Sequence, residues 1–389
     1  MFPTIIVKYF IRISFLLFSC FFPVNKKKVT FASYRSEKLE GNLLYVYNQL
    51  ERRNCHFACR FHFKKYNNSI LGKLNYFLHM VKASYALATS RLFIIDDFYF
   101  PIYVIKPRKG TDIVQLWHAA GAFKKFGLST INKSFGPSED YLRHVKIHSN
   151  YSKVYVSSKT VIPHYAEAFD MSKEKIYPLG VPRTDFFFNN DIKEEITKKF
   201  NVDFSQFKHK KLILYAPTFR GRSHYQEKFT SPIDISKFKA MLGHDYALII
   251  HLHPYMRSGL YIEEKDKDFA FQVEGQFTIE ELLILADVLI TDYSSVIFDY
   301  SLLCRPIVFF STDLEEYIKE RDFYFDFLTC IPGPLFTEIE SLAKWLKEGQ
   351  YDMKLVSDFR NFFFDDLDGK ASERIVNHML MDNPSNINT

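Results

Sequence analysis

The sequence predicts an α/β protein built from two doubly wound parallel sheets. Three observations carry that prediction. Short apolar runs suited to buried parallel strands recur along the chain with helical stretches between them. The runs fall into two sets, parted by the polar, charged stretch from Asp191 to Lys211. The length, 389 residues, exceeds a comfortable single core and favours two domains of about 150 to 200 residues each. Two such domains are expected to face a cleft, with ligands bound beyond the carboxyl ends of the strands.

The elements follow in order. Residues 4–22 are apolar, but Lys8 and Arg12 interrupt them, spaced to share one helical face. The uninterrupted portion, Ile13 to Val24, is short for a ~20-residue transmembrane helix, and Lys26, Lys27 and Lys28 follow at once. This pattern predicts an amphipathic helix lying in the interface of an anionic membrane, a buried helix of the first domain being the alternative. Val29–Tyr34 reads as a strand, and Gly41-Asn42 precede a helical pattern from Leu43 to Leu50. Further strands are expected at 91–96, 112–117 and 153–157, then, past the charged stretch, at 212–216, 246–251, 288–291 and 306–310. The predicted domains are 1–25 (membrane-associating helix), 26–205, and 206–389 with terminal helices packing back on the first domain.

Composition narrows the function. Hydrophobic residues make up 47%, with 41 Phe and 24 Tyr, and part of that aromatic excess is expected to meet lipid. A formal charge of +6, from 51 basic against 45 acidic residues, favours anionic small molecules or a membrane surface over nucleic acid. Cys20, Cys55, Cys59, Cys304 and Cys330 are odd in number and lack the spacing of a zinc site, so reduced cytosolic thiols are expected. A glycine-rich dinucleotide fingerprint and a phosphate-loop signature are both missing, which argues against dehydrogenases and NTPases.

The chemistry-bearing residues sit at predicted strand ends. Thr291-Asp292-Tyr293-Ser294-Ser295 is a hydroxyl-rich turn entering a helix, where backbone N–H groups and side-chain donors suit a diphosphate. Asp299, one helical turn deeper, can accept from ribose hydroxyls; an ordinary helix start with an unrelated carboxylate is the alternative. His251 and His253 in His-Leu-His-Pro alternate to one side of a strand end, as a metal pair or, for His253, as a hydrogen-bond donor to a phosphate oxygen. His118 in Trp-His-Ala-Ala-Gly lies just past a strand, followed by small residues through Gly121 and then Lys124, and suits proton abstraction or a role within the fold. Arg183 and Arg220 close two further strand-end motifs, where a guanidinium suits phosphate oxygens, though Arg183 reads equally as an ion pair with Asp185; Arg257 and Arg305 are open to the same structural reading. Asp96-Asp97 and Asp365-Asp366 are not Asp-x-Asp metal pairs and read as structural, so charge neutralisation is expected from histidine, helix dipole and arginine, with no essential divalent metal.

Taken in register, Trp-His-Ala-Ala-Gly at 117–121, Gly-Val-Pro-Arg-Thr-Asp at 180–185, Tyr-Ala-Pro-Thr-Phe-Arg at 215–220, His-Leu-His-Pro at 251–254 and the stretch 291–310 resemble the CDP-glycerol glycerophosphotransferase family. The resemblance spans roughly residues 25–380 and implies a GT-B-like architecture, two Rossmann-like domains with the CDP donor held mainly by the second. It implies His118 and His253 as the catalytic pair and Thr291–Ser295 as the donor-diphosphate site. It implies CDP-glycerol or CDP-ribitol as donor, an undecaprenyl-diphosphate-linked saccharide as acceptor, no cofactor, and teichoic acid synthesis at the cytoplasmic membrane face. Polymerases of the family typically carry Trp-His-Gly-Thr-Pro where this chain has Trp-His-Ala-Ala-Gly, so the chain looks closer to the primase branch, with glycerol phosphate as the expected cargo. A nucleotide-sugar transferase of the same fold, a non-enzymatic membrane module and a metal-dependent phosphotransferase remain the rivals.

Overall fold

The computed structural model describes residues 2–381 apart from 55, 67–68, 132, 134, 219–220, 223–224, 227–231, 253–260 and 274. His253, Arg220, Arg257 and Cys55 therefore lie outside the described residues. The chain forms two compact units, Met1–Asp185 with Lys370–Thr389, and Phe186–Gly369. The division falls at 185/186 and not at 205/206. The charged stretch expected to part the domains is a helix, Asn190–Asp203, that belongs to the second unit: Ile196 and Phe200, four residues apart among lysines and glutamates, bury one side of it.

The first unit holds a six-stranded sheet in the order β2-β1-β3-β4-β5-β6, built from β1 (Asn25–Ser33), β2 (Ala58–Phe63), β3 (Ser90–Ile95), β4 (Asp112–Gln115), β5 (Lys153–Tyr155) and β6 (Ile176–Tyr177). Every pairing is parallel, with Phe31 of β1 beside Ile94 of β3 and Ile95 of β3 beside Gln115 of β4. Strands covered on both faces need apolar side chains at consecutive positions, and β3 is buried at all six. Helix α2 (Gly41–Arg52) presents Leu43, Val46 and Leu50 at helical spacing to that sheet, where they join Val29, Phe31, Leu92, Ile94 and, from the helix Ala371–Met381, Ile375, Val376 and Met379. Each such side chain contributes about 1.5–3 kcal/mol when fully buried. The terminal helix is held at its start by Asp185, whose two carboxylate oxygens accept from the N–H groups of Ala371 (2.8 Å) and Ser372 (2.9 Å).

At the N-terminus, helix α1 (Phe2–Phe21) is long and apolar enough to cross a membrane. It lies instead along helix α3 (Ile70–Thr89), running the same way, since Phe10 meets Phe77 and Phe18 meets Tyr85. Ile11 and Phe15 are buried, and Lys8 turns inward to donate to the His144 carbonyl at 2.7 Å, which leaves Arg12 as the exposed cation of the stripe expected for both. Outward, α1 leaves Ile6, Ile13, Leu16 and Leu17 exposed, and α3 leaves Ile70, Leu71, Leu74 and Leu78.

The second unit holds another six-stranded sheet, β11-β10-β7-β12-β13-β14, and a short hairpin, β8 (Gly221–Arg222) with β9 (Tyr225–Gln226). The sheet strands are β7 (Lys211–Tyr215), β10 (Tyr246–Ile250), β11 (Ala270–Phe271), β12 (Val288–Thr291), β13 (Ile307–Phe310) and β14 (Leu335–Phe336), again all parallel. Counted within the unit, this is the 3-2-1-4-5-6 order of dinucleotide-binding folds. In each sheet the order reverses at one place, between β1 and β3 and between β7 and β12, the kind of place where open α/β sheets bind their ligands.

Candidate active site

In the first unit the loops after β1 and β3, the strands that flank the point of reversal, carry Arg35 and Asp96-Asp97, and the loop after the next strand, β4, carries Trp117-His118. His118 Nδ1 lies 3.2 Å from Asp97 Oδ2, with the imidazole side chain 41% exposed and the carboxylate 9%. Arg35 Nη1 donates to the same oxygen at 3.0 Å, and Asp97 Oδ1 accepts from the Phe98 N–H at 2.5 Å. Burial works to raise the Asp97 carboxyl, but the attraction and hydrogen bond of His118, the charge of Arg35 and the Phe98 amide hold it below the usual range. Asp96 shows the reverse: burial, then the neighbouring Asp97, push it up to about 7, and its Oδ1 is buried without a hydrogen-bond partner. Asp97, read from sequence as structural, thus pairs with the Nδ1 side of the 41%-exposed His118 side chain.

The backbone beneath His118 is strained. Trp117 adopts φ +52°, a left-handed conformation that a bulky residue adopts only when its surroundings over-determine it. Its N–H donates to Gln115 Oε1 at 2.8 Å, its carbonyl accepts from Asn42 Nδ2 at 2.7 Å, and its ring stacks on Phe126 with Phe169 and His148 edge-on. Gln115 is itself held, Nε2 donating to the Asp97 carbonyl at 3.0 Å and to Tyr151 at 3.2 Å. Arg183 donates from Nη2 to the His118 carbonyl at 3.3 Å, while Asp185 caps the terminal helix. Gly121 is buried, its carbonyl accepting from Tyr165 Oη, and Lys124 is half-buried on a bridge-forming residue. Thus His118 and Arg183 come together, and Gly121 sits behind the loop.

The second unit uses its own reversal point differently. Thr291, at the end of β12, is buried and donates inward to the Ala216 carbonyl beyond β7 at 2.7 Å. Asp292 Oδ1 accepts from the N–H groups of Thr218 (2.7 Å) and Tyr293 (2.5 Å), tying the loop after β7 to the turn after β12. Tyr293 is buried, stacked on Tyr317 at 3.8 Å, its hydroxyl on Ser311 and Asp313. What the braced turn presents outward is Ser294, half-buried, and Ser295, exposed at the start of the helix Val296–Ser301 with no side-chain cap bond. Asp299 lies buried in that helix. Arg305 donates to the carbonyls of Ile284 and Ala286, a structural role. His251 follows β10, its N–H on the Tyr215 carbonyl, and burial lowers its basicity against the pull of Glu280.

Sequence reasoning missed Asp97, Arg35, Asn42 and Gln115 as parts of the first site. A carboxylate directly after a wholly buried strand was the available signal. Its meeting with His118 depends on β3 lying beside β4, which local sequence does not show.

Comparison with known proteins agrees with this architecture. Residues 14–381 match the family described as CDP-Glycerol:Poly(glycerophosphate) glycerophosphotransferase. The chain is 44% identical over 377 residues to a teichoic acid ribitol-phosphate primase of Bacillus spizizenii, covering 96% of each chain. It is 32% identical over 302 residues to a teichoic acid glycerol-phosphate primase of Bacillus subtilis, covering 77% of this chain and 76% of that one. In fold it is similar to the wall teichoic acid polymerase TagF, with a TM-score of 0.76 at 23% identity over 95% of this chain and 93% of that one. The expected α/β, GT-B-like fold is borne out. With a family match across nearly its whole length and a close relative matched end to end, the chain belongs to the CDP-glycerol:poly(glycerophosphate) glycerophosphotransferase family.

Proposed function

We propose that this protein transfers a polyol phosphate from a CDP-polyol to a lipid-linked saccharide acceptor, as a primase of teichoic acid synthesis, releasing CMP. The observation that carries the reading is the half-exposed His118 held through Nδ1 by an ionised, buried Asp97 at the reversal point of the first sheet. An acceptor hydroxyl attacks the β-phosphorus in line; its proton passes to His118 Nε2, the bond to the CMP oxygen breaks, and a phosphodiester remains. No covalent enzyme intermediate is required. Arg183 stands beside His118 as a phosphate contact. Ser294 and Ser295 hold the donor diphosphate on a turn shaped by Thr291 and Asp292, with Asp299 toward the ribose, and Arg220 and His253 are assigned by the family resemblance to steadying charge on the leaving group.

Ribitol phosphate is favoured over the glycerol phosphate expected from sequence, because similarity to the ribitol-phosphate primase, 44%, exceeds that to the glycerol-phosphate primase, 32%. The exposed apolar faces of α1 and α3, with the exposed Lys26 and Lys27 following α1, support peripheral attachment to an anionic membrane, while Lys28 turns inward to Thr89. The test is CMP release from CDP-ribitol and CDP-glycerol with a synthetic lipid-diphosphate-linked saccharide, with and without EDTA, read together with product mass. One added ribitol phosphate is expected, with activity surviving EDTA. A ladder of products refutes the primase reading, turnover of CDP-glycerol alone refutes the donor, and silence with both refutes the transfer.

A further inference from the structure

Asn42 opens helix α2 and is not among the residues that touch substrate in the proposed reaction, yet it is 3% exposed and uses both halves of its amide. Nδ2 donates to the Trp117 carbonyl at 2.7 Å, and Oδ1 accepts from the Arg183 N–H at 2.9 Å. The partners, one acceptor and one donor, fix which end of the amide is which. One side chain thus joins the loop that carries His118 to the loop that carries Arg183, whose guanidinium closes the circuit on the His118 carbonyl. Gly41, at φ +55°, bends the chain into the helix and aims Asn42 at both loops.

We infer that Asn42 is a positioning residue for the transfer: it holds Trp117 in its left-handed conformation and so sets His118 over Asp97, and it keeps the Arg183 loop in register with them. This rests on the reading of His118 as the base. A left-handed backbone at a bulky residue persists only while bonds on both of its sides oppose relaxation. Gln115 supplies the bond on the N–H side and Asn42 the one on the carbonyl side. Without Asn42 the peptide between Trp117 and His118 is free to turn over, which rotates the imidazole off Asp97. A bond that merely starts a helix would have no such consequence.

The experiment uses the full chain in a Trp345→Phe background, so that Trp117, one of two tryptophans, is the only fluorophore of its kind. Asn42→Ala removes both bonds; Asn42→Asp, equal in shape, keeps the acceptor for Arg183 and loses the donor to Trp117. Both substitutions are expected to raise acrylamide quenching of Trp117 and to lower kcat for CMP release by about 30- to 100-fold with KM for the CDP-polyol within about threefold, the scale on which an ångström of misplacement acts. In a His118→Ala background the same substitutions are expected to cost less than about threefold more, because a residue acting through His118 has nothing left to position. Unchanged quenching of Trp117 overturns the inference, as does an undiminished further loss without His118. If the unsubstituted chain releases no CMP from either CDP-polyol, the transfer reading falls, and the quenching measurement still decides whether Asn42 holds the loop.

Discussion

Replacing Asp97 by asparagine removes the charge beneath His118 and exchanges one of its two acceptor oxygens for a donor. The amide retains an oxygen for the Phe98 N–H, and the pair with Arg35, whose side chain is 46% exposed, is worth at most about 1 kcal/mol. Two unit charges at the observed 3.2 Å attract by about 5 kcal/mol at an effective dielectric near 20. The His118 side chain is 41% exposed, and water screens the attraction to about 1–2 kcal/mol, roughly 5- to 30-fold in rate where the imidazolium forms in the transition state. Asparagine can also turn its NH₂ toward Nδ1, which leaves the proton on Nε2 and the base unable to accept. General-base assistance is typically worth ~10²- to 10⁴-fold, so the combined loss in kcat is expected near 10²-fold and no smaller than about fivefold. The assay is CMP release at saturating CDP-polyol, with a thermal melt to establish that the variant is folded. Arg35→Ala is the control, expected to lose less than about fivefold on the exposed-pair argument. A folded Asp97→Asn protein within about threefold of wild-type kcat refutes the orienting role and, with it, the assignment of Nε2 as base.

The pH dependence of stability offers a second check. Asp96 is pushed up to about 7, first by burial and then by Asp97, so between 3.8 and about 7 the folded chain keeps a proton that the unfolded chain has released; stability falls across that window and the full penalty stands above it. Burial pushes His62, His79 and His148 down to about 4, and these act oppositely, adding stability as pH rises from about 4 to 6.5. In melts from pH 5 to 8, Asp96→Asn is expected to gain Tm relative to wild type as pH rises, by roughly 5 °C or more; a difference that does not change with pH counts against the buried-carboxyl account. At the face proposed to meet a membrane, Ile70→Ser with Leu74→Ser in α3 is expected to weaken sedimentation with anionic vesicles at least about tenfold, since two exposed aliphatic side chains are worth some 1.5–3 kcal/mol each when buried in lipid. Full binding by that variant leaves α1 alone as the attachment.

The strands legible in sequence were the central ones. β7, β10, β12 and β13 are apolar at nearly every position, β3 is apolar from Leu92 on and β4 at Ile113 and Val114, as strands covered on both faces require, and each lies within a residue or two of its expected span. The unread strands are edge strands: β6, β11 and β14 are two residues long, and β2 carries Arg60 and His62 on a partly solvated edge, so none shows an apolar run. The helix Asn190–Asp203 was read only as a polar, charged stretch parting the two sets of strands because charge dominates its composition, and only Ile196 and Phe200 mark its buried side. At the site, His118 and the Thr291–Ser295 turn were visible as polar residues following apolar runs. Asp97 follows such a run too, but its partner was not knowable, because the neighbour relation of β3 and β4 is set by packing between segments.

Several departures from ordinary folding rules meet at one place in the first unit, while other left-handed residues, such as His148, Asp170 and Cys304, lie elsewhere in the chain. A tryptophan at φ +52°, a buried carboxylate oxygen with no partner and two adjacent aspartates with opposite pKa shifts all lie at the carboxyl ends of β3 and β4. Each costs stability locally, and around the Trp117 backbone the bonds to Gln115 and Asn42 and the stacking on Phe126 oppose relaxation. The corresponding turn of the second unit contains no left-handed residue among Thr291–Ser295, and its buried polar groups Thr291, Asp292 and Tyr293 are hydrogen-bonded inward. In the proposed transfer, a proton-accepting group needs to be held at one angle, and a rigid turn with satisfied hydrogen bonds suits the holding of a diphosphate. On the proposed reading, the same architecture used twice divides the work: a left-handed Trp117 lies beneath the group assigned to take the proton, and a hydrogen-bonded turn underlies the residues assigned to hold charge.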